Sequence, residues 1–376
     1  MAWSNPAVSA DSVVALAAGF MQGDLAIDLA LRKRSPRRDA IRYGGFSLGE
    51  VSMQRIKGLI AGLALSAFLT GTAMAETKWD MPTPYPDGNF HTKNIAQFAQ
   101  DVDKATNGGL KITVHSAGSL VKHPDIKNAV KRGIAPIGEV LISLHANESP
   151  IYGIDSVPFL ATGYDGAKKL YAAQRSFLEK KLTDEGLILL FSVPWPPQGI
   201  YAKKEIKSVD DLKGLKFRTY NVATQRIAQL VGAVPTQVEV PDIPTAFSTN
   251  RVEAMITSPS TGVDSKAWDF LTHFHDTQAW LPRNMVFASK DAFDKLSDAE
   301  KKAVRDAAKT AEERGWAAST AETTDKIKVL AANGIKIIQP SDALKKGFAE
   351  VGKTMTAEWE TAAGADGKAI LDAYRK

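Results

Sequence analysis

The stretch Ser208–Arg218, SVDDLKGLKFR, carries the pattern that decides the fold. Ser208 fits the N-cap of a short helical turn, Gly214 ends that turn, and Leu215–Thr219 has the spacing of a strand. This order places Arg218 near a strand end, where open α/β sheets form their ligand crevice. An arginine there can hold a carboxylate through two parallel hydrogen bonds, which lysine cannot do. Taken alone, the residue fits a surface arginine or a structural ion pair at least as well.

Outward from this stretch, short apolar segments alternate with helical ones from Thr77 onward, which predicts an α/β fold with a largely parallel sheet. About 300 residues exceed one comfortable core, so two lobes are expected. The predicted strands are Trp79–Met81, Leu110–His115, Ile134–Val140, Leu187–Val193, Leu215–Thr219, Val252–Thr257 and Ile335–Ile338. The predicted helices are Phe90–Thr106, Asp125–Lys131, Gly166–Leu182, Gln225–Val231, a long helix from the capping box at Ser297–Glu300 to Ala332, and Ser341–Ala363.

An apolar run, GLIAGLALSAFL at Gly58–Leu69, is shorter than the roughly 20 residues that cross a bilayer. A basic segment precedes it and a small-x-small sequence follows at 73–75. These parts predict a secretory signal peptide over Met53–Ala75 and therefore a periplasmic protein, with a buried core helix as the alternative. Since a signal peptide must be N-terminal, residues 1–52 are interpreted as a mis-assigned upstream extension and Met53 as the initiator. A genuine extension is the alternative, and the codons of Gly49 and Glu50 test it, because a GGAG there resembles a ribosome-binding site.

Composition excludes several classes of protein. The 376 residues are 44% hydrophobic and 24% charged, with mean hydropathy of −0.16, which excludes collagen, extended disorder and polytopic membrane proteins. Without cysteine the chain has no disulfide, thiol nucleophile or cysteine-ligated metal. Most of the +5 formal net charge lies in residues 1–75, so nucleic-acid binding is not expected of the mature chain.

Motifs for catalysis are missing from the sequence: it has no G-x-S-x-G, H-E-x-x-H, Walker or G-x-G-x-x-G pattern. His273 and His275 would point to the same side of a strand, but an interface or surface pair fits them better than a metal site. We therefore predict a protein that is not an enzyme and that has no cofactor and no metal.

Four motifs, in this order and spacing, resemble the solute-binding proteins of tripartite ATP-independent periplasmic (TRAP) transporters, the DctP family, over nearly all of residues 76–376. They are TNGG at 106–109, DDLKGLKFR at 210–218, GAVP at 232–235 and AFSTNRVEA at 246–254. The resemblance implies a two-lobed periplasmic-binding-protein fold, type II-like, with a long helix spanning both lobes, and it implies that Arg218 binds the substrate carboxylate. Residues 76–200 would form mainly the first lobe, 201–300 mainly the second, and 301–376 the long helix and C-terminal elements packing on both.

The sequence departs from that family at two positions that often bind ligand. A second arginine is common about twenty residues before the first, but this chain has Gln198–Tyr201 there. Thr257 stands where an asparagine often binds ligand. One cation can neutralise one carboxylate, and a second buried carboxylate would stay unpaired. We therefore predict a monocarboxylate ligand.

Aromatic residues are frequent near the predicted crevice, where they can form a flat apolar wall. They predict an aromatic or other apolar monocarboxylate, or a 2-hydroxy or 2-oxo acid, although packing between the lobes explains them as well. The aromatic candidates are Trp195, Tyr220 and Trp280, and the further candidates are Asn89, Phe90, Glu139, Asn221, Thr257 and Ser258. For Glu139 a structural role is favoured unless the ligand carries hydroxyl groups.

The predicted function is a periplasmic receptor that delivers a small organic acid to TRAP membrane permease subunits, as a monomer. The alternatives are a C4-dicarboxylate receptor, a periplasmic enzyme acting on a carboxylic acid, and a sensor subunit that presents ligand to a signalling partner. Turnover of the ligand would identify an enzyme, whereas a receptor returns its ligand unchanged.

Overall fold

The computed structural model describes residues 76–376. The predicted extension at 1–52 and the predicted signal segment at 53–75 lie outside these residues. The strands are β1 (Thr77–Pro82), β2 (Leu110–His115), β3 (Ile137–Leu141), β4 (Leu187–Pro194), β5 (Gly199–Ala202), β6 (Lys216–Thr219), β7 (Val234–Gln237), β8 (Ala254–Thr257), β9 (His273–His275), β10 (Arg283–Ser289) and β11 (Lys336–Ile338). The helices are α1 (Phe90–Ala105), α2 (Ile126–Lys131), α3 (Gly163–Asp184), α4 (Val222–Leu230), α5 (Ile243–Ser248), α6 (Pro259–Asp264), α7 (Lys290–Asp294), α8 (Asp298–Ala332) and α9 (Asp342–Arg375).

The first lobe contains two small sheets. Strands β1 and β2 pair in parallel and are connected by α1, which buries the face containing Ile95, Phe98 and Val102. Strand β10 lies between β3 and β4 and is antiparallel to both, with a register shift between Val286 and Phe287. The chain thus returns to the first lobe at β10, although residues 201–300 were predicted to form mainly the second lobe.

The second lobe is built on a six-stranded mixed sheet in the order β11-β9-β5-β8-β6-β7. Strand β6 is parallel to β7 and β8, and β11 is parallel to β9, whereas β5 is antiparallel to both of its neighbours. The prediction of a largely parallel sheet is therefore wrong. The periodicity of a strand reports which face is buried but not the direction of its neighbour.

The deciding stretch folds as its residues predict. Ser208 caps a 3-10 turn through a capping box with Asp211, and Gly214 follows in the left-handed region at φ +76°. This conformation carries no steric cost for glycine, and it directs the chain into β6. Arg218 lies on this strand, one residue before its carboxyl end.

Two long helices connect the lobes. Helix α8 begins at the Ser297–Glu300 capping box and contacts α1 and β4 in the first lobe and α6 and β11 in the second, as the resemblance implies. Helix α9 was expected to end at Ala363, but it continues to Arg375 after a break at Gly364, where φ is +58°. No helix within residues 76–376 has the length and apolar character to cross a membrane.

Candidate ligand-binding site

A cavity lies between the two lobes, with about 390 Å³ of space, part of which is open to solvent. The first lobe supplies apolar and aromatic side chains, and the second supplies most of the charged and hydroxyl groups. The lining residues are Tyr85, His123, Leu141, Trp195, Gln198, Arg218, Tyr220, Glu239, Val240, Thr257, Ser258, Thr261 and Pro282. A concave space with a few converging polar groups is the usual form of a small-molecule site.

Arg218 is the arginine of this cavity and is 1% exposed. Its Nε donates to the Val238 carbonyl at 2.9 Å, and its guanidinium lies 4.8 Å from the Tyr220 ring centroid. Its terminal nitrogens make no hydrogen bond or ion pair within residues 76–376, so the alternative of a structural ion pair has no partner in this part of the chain. Burial lowers the pKa of Arg218 to about 10, which leaves the guanidinium charged at neutral pH. The cavity thus presents a fixed, desolvated fork of N–H donors.

Hydroxyl and amide groups surround this cation. Thr257 ends β8, and Ser258 caps the following turn by accepting from the Thr261 N–H at 3.1 Å. The Tyr220 hydroxyl donates to Gln198 Oε1 at 3.1 Å. These groups are buried and can donate to or accept from a polar ligand.

Two aromatic residues of the first lobe, Tyr85 and Trp195, line the cavity, and the side-chain amide of Asn284 bonds to both. Asn284 Oδ1 accepts from the Tyr85 hydroxyl at 3.1 Å and from Trp195 Nε1 at 2.8 Å, while its Nδ2 donates to Glu139 at 3.1 Å. The rings of Tyr85 and Trp195 meet edge to face with centroids 4.9 Å apart, and Phe90 packs edge-on against the Trp195 ring at 5.5 Å. Asn284 therefore fixes the orientation of both lining aromatics.

Three polar pairs close the cavity by joining the lobes. His123 Nδ1 lies 3.1 Å from Glu239 Oε2, Asn89 Nδ2 donates to Asp264 at 2.7 Å, and Asn221 Nδ2 donates to Ser143 Oγ at 2.8 Å. In each pair the first-lobe residue precedes β4, and its partner lies in the second lobe. The structure is thus a closed arrangement of the two lobes.

Five of the ten residues predicted for the site line the cavity: Trp195, Arg218, Tyr220, Thr257 and Ser258. The other five are buried nearby without lining it. Asn89 and Asn221 cap α1 and α4 and bond across the lobes, and Phe90 packs behind Trp195. Glu139 bonds to Asn284 and Thr83, and Trp280 lies in the core with its carbonyl accepting from the Gln198 N–H.

Sequence reasoning missed Tyr85, His123, Gln198 and Glu239 as lining residues. Tyr85 carried a usable signal, since it sits in a proline-rich loop directly after β1. His123 and Glu239 did not, because they are 116 residues apart and meet only when the lobes close.

The two histidines considered for a metal lie on β9 with ring centroids 6.2 Å apart. His275 Nε2 accepts from the Ile206 N–H at 2.8 Å, which gives this ring a role in the core of the second lobe. Within residues 76–376 no three His, Cys, Asp or Glu side chains come together in a way that could hold a metal ion.

The family model DctP, bacterial extracellular solute-binding protein family 7, matches residues 83–362. A solute-binding protein of Albidiferax ferrireducens is 22% identical over 304 residues, covering 78% of this chain and 90% of its own. The crystal structure of DctP6, a Bordetella pertussis extracytoplasmic solute receptor binding pyroglutamic acid, is 50% identical with a TM-score of 0.79 and covers 80% of this chain and 99% of its own.

A marine metagenome TRAP solute-binding protein specific for pyroglutamate is 43% identical with a TM-score of 0.78. The match covers 80% of this chain and 99% of that protein. Its crystal structure was determined in complex with co-purified pyroglutamate. Both solved structures thus match this chain over nearly their whole length.

Proposed function

The chain belongs to the DctP family, the bacterial extracellular solute-binding proteins of family 7, and we propose that its cavity binds pyroglutamate for a TRAP transporter. TRAP receptors bind small organic acids and work with a membrane permease, and the related structures are receptors of this kind. Pyroglutamate is a cyclic monocarboxylate. It belongs to the predicted class of monocarboxylates, although it is not an aromatic, 2-hydroxy or 2-oxo acid.

The observation that carries the proposal is the Arg218 fork, which has no partner within residues 76–376, in a cavity lined by one arginine. A carboxylate that accepts two hydrogen bonds from this guanidinium would be paired where water is excluded, and the aromatic wall would cover the ring. A second carboxylate would meet no further Lys or Arg among the lining residues. The receptors at 50% and 43% identity bind pyroglutamate, in agreement with a ligand bearing one carboxylate.

Isothermal titration calorimetry with pyroglutamate tests this function. Removing one partner of a buried charge pair costs about 2–5 kcal/mol, so Arg218→Met should weaken binding by about 30-fold or more. Arg132→Met, at an exposed arginine outside the cavity, is the matched control and should bind as the wild type does. Unchanged affinity of the Arg218 variant, or tight binding of succinate in place of pyroglutamate, would exclude the proposal.

We also propose that the protein reaches the periplasm through the signal peptide Met53–Ala75, acts as a monomer and returns its ligand unchanged. The extracellular assignment of the family and the order of basic, apolar and small residues before Glu76 support export. Sequencing the N-terminus of the exported protein should give Glu76 as the first residue. Intact pyroglutamate after prolonged incubation is expected of a receptor.

A further inference from the structure

The ligand cavity contains a carboxylate as well as a guanidinium. Glu239 and Arg218 both line it, yet they form no ion pair within residues 76–376. The Glu239 side chain is 25% exposed, so it is partly buried. An anion in the same cavity as the carboxylate-binding cation has no role in holding a simple monocarboxylate.

The tautomer of His123 determines what Glu239 can do. The Leu141 N–H donates to His123 Nε2 at 3.2 Å, so this nitrogen must carry a lone pair. The ring proton is therefore on Nδ1, which lies 3.1 Å from Glu239 Oε2. The 8% exposure of His123 and the edge-on contact with Tyr85, at 5.8 Å between centroids, hold the ring in this position. His123 thus donates to Glu239 and fixes it as an acceptor.

Glu239 keeps accepting capacity after this bond is made. Its Oε1 accepts from Gln237 Nε2 at 3.3 Å, and its Oε2 accepts from His123, so each oxygen retains a free lone pair. Burial raises the pKa of Glu239, but the His123 hydrogen bond and the positive charge of Arg218 lower it below its usual value. The cavity therefore offers an ionised acceptor and, separately, a fork of donors.

A ligand that satisfies both groups carries a carboxylate and an N–H donor on the same small frame. We propose that Glu239, positioned by His123, accepts a hydrogen bond from the ring N–H of a lactam acid and makes the receptor reject the corresponding lactone acid. This inference rests on the proposed function and assigns the group that reads the ring nitrogen. In the lactone an oxygen replaces the N–H, and its lone pairs would face the carboxylate lone pairs.

The test compares pyroglutamate with 5-oxotetrahydrofuran-2-carboxylate by isothermal titration calorimetry. Sites built to hydrogen-bond a ligand N–H strongly reject analogues that lack it, and we expect the wild type to prefer the lactam by about 100-fold or more. Glu239→Gln should reduce this preference to below about 10-fold, because its amide can donate to the lactone oxygen. Glu205→Gln, which removes an exposed charge in the same lobe, should keep the wild-type preference.

His123 variants test the positioning role. His123→Phe removes the donor to Glu239 and should lower the ratio of lactam to lactone affinity. His123→Asn can still donate to Glu239 and should keep a ratio closer to that of the wild type. Thermal unfolding of each variant separates loss of fold from loss of selectivity, and the lactam-to-lactone ratio is a readout that a purely structural role would not change.

The outcomes distinguish this inference from the proposed function. Equal binding of lactam and lactone by the wild type, or an unchanged ratio in Glu239→Gln, overturns the role of Glu239 and leaves pyroglutamate binding intact. Tighter binding of proline, whose ring nitrogen is charged, overturns the lactam assignment. A wild type that binds neither ring acid overturns both proposals.

Discussion

Glu139 does not line the binding site but accepts a hydrogen bond from Asn284, which orients two of the lining aromatic residues. Its two oxygens accept from Thr83 Oγ1 at 2.7 Å and from Asn284 Nδ2 at 3.1 Å, and it is 1% exposed. Burial raises its pKa from 4.5 to about 7, although both hydrogen bonds act in the opposite direction. The buried ring of His91 lies 3.5 Å away, and burial holds the pKa of this histidine well below its usual value. The carboxyl group thus titrates near neutral pH beside an uncharged ring.

The raised pKa of Glu139 predicts a pH-dependent difference in stability. Between about pH 4.5 and 7, Glu139 is protonated in the folded protein and ionised in the unfolded chain. The free energy of unfolding therefore falls as pH rises through that window. At about 1.4 kcal/mol per pKa unit, the full effect is on the order of 3 kcal/mol. Glu139→Gln keeps partners for Thr83 and Asn284 and should gain stability relative to the wild type from pH 5 to pH 8.

Urea unfolding of both proteins at several pH values measures this difference. Because the pKa of His91 is lowered, its contribution to the free energy of unfolding rises with pH below the usual histidine pKa. The His91 contribution is present in both proteins, so the difference between variant and wild type isolates Glu139, whereas the wild-type profile alone does not. A difference that stays constant across this range would show that Glu139 does not titrate in the folded protein.

At the scale of the element, α8 packs against the first lobe through a close approach at Gly315. A Cβ built there would overlap the Val193 side chain and lie 2.8 Å from Asn94 Nδ2. Asn94 Nδ2 donates to the Ala311 carbonyl at 2.9 Å, and Arg314 Nε donates to Asn94 Oδ1 at 2.7 Å. Glycine at this position lets α8 lie directly on β4 and α1.

This packing predicts that Gly315→Ala destabilises the protein. Alanine normally stabilises a helix interior relative to glycine by about 1 kcal/mol, but overpacking typically costs about 1–3 kcal/mol. Gly166 of α3 is the matched control, because its nearest atoms beyond the helix would lie 3.6 Å from an added Cβ. In urea unfolding Gly315→Ala should lower the midpoint while Gly166→Ala does not. An equal change in both variants would show that backbone propensity, and not packing, controls α8.

At the scale of the whole molecule, closure is stabilised by contacts outside the cavity. The Asn221–Ser143 bond joins the first turn of α4 to the segment after β3, and neither residue lines the cavity. Binding favours the closed state only if ligand and inter-lobe contacts together stabilise it more than the open state. Such a bond can therefore change affinity without touching the ligand.

Ser143→Ala should weaken pyroglutamate binding by about 2- to 10-fold, since a typical net hydrogen bond contributes about 0.5–1.5 kcal/mol. The free energy of unfolding without ligand should change little, because this bond forms between lobes. Ser248→Ala is the control, since this hydroxyl bonds to the Thr245 carbonyl within one lobe at 3.0 Å. Calorimetry showing the same affinity for Ser143→Ala as for the wild type would exclude a role for this bond in closure.

Local patterns in the sequence predicted the helices and strands whose signals are contiguous. The capping box at Ser297 began α8 where it was expected, and the glycine at 214 separated a turn from β6, because both effects depend on neighbouring residues. Arg218 was a candidate because its place near a strand end and its chemistry are readable locally, and the family resemblance then favoured it over a surface arginine or a structural ion pair. Chain length predicted two lobes, and the resemblance added the long helix that spans both.

Strand order and most cavity neighbours depended on long-range contacts. Arg283–Ser289 becomes the central strand of the first-lobe sheet by returning about 90 residues after β4, and no local period encodes that partner. Glu239 meets His123 of the other lobe only across the gap between the lobes, 116 residues away in the sequence, while the Leu141 N–H fixes the His123 tautomer. The sequence by itself determined the elements whose signals are contiguous and offered Arg218 as a candidate cation, but it did not reveal β5, β7, β9 or β10. Tertiary structure decided the strand directions and the groups that share the cavity with that cation, because contacts between distant segments set both.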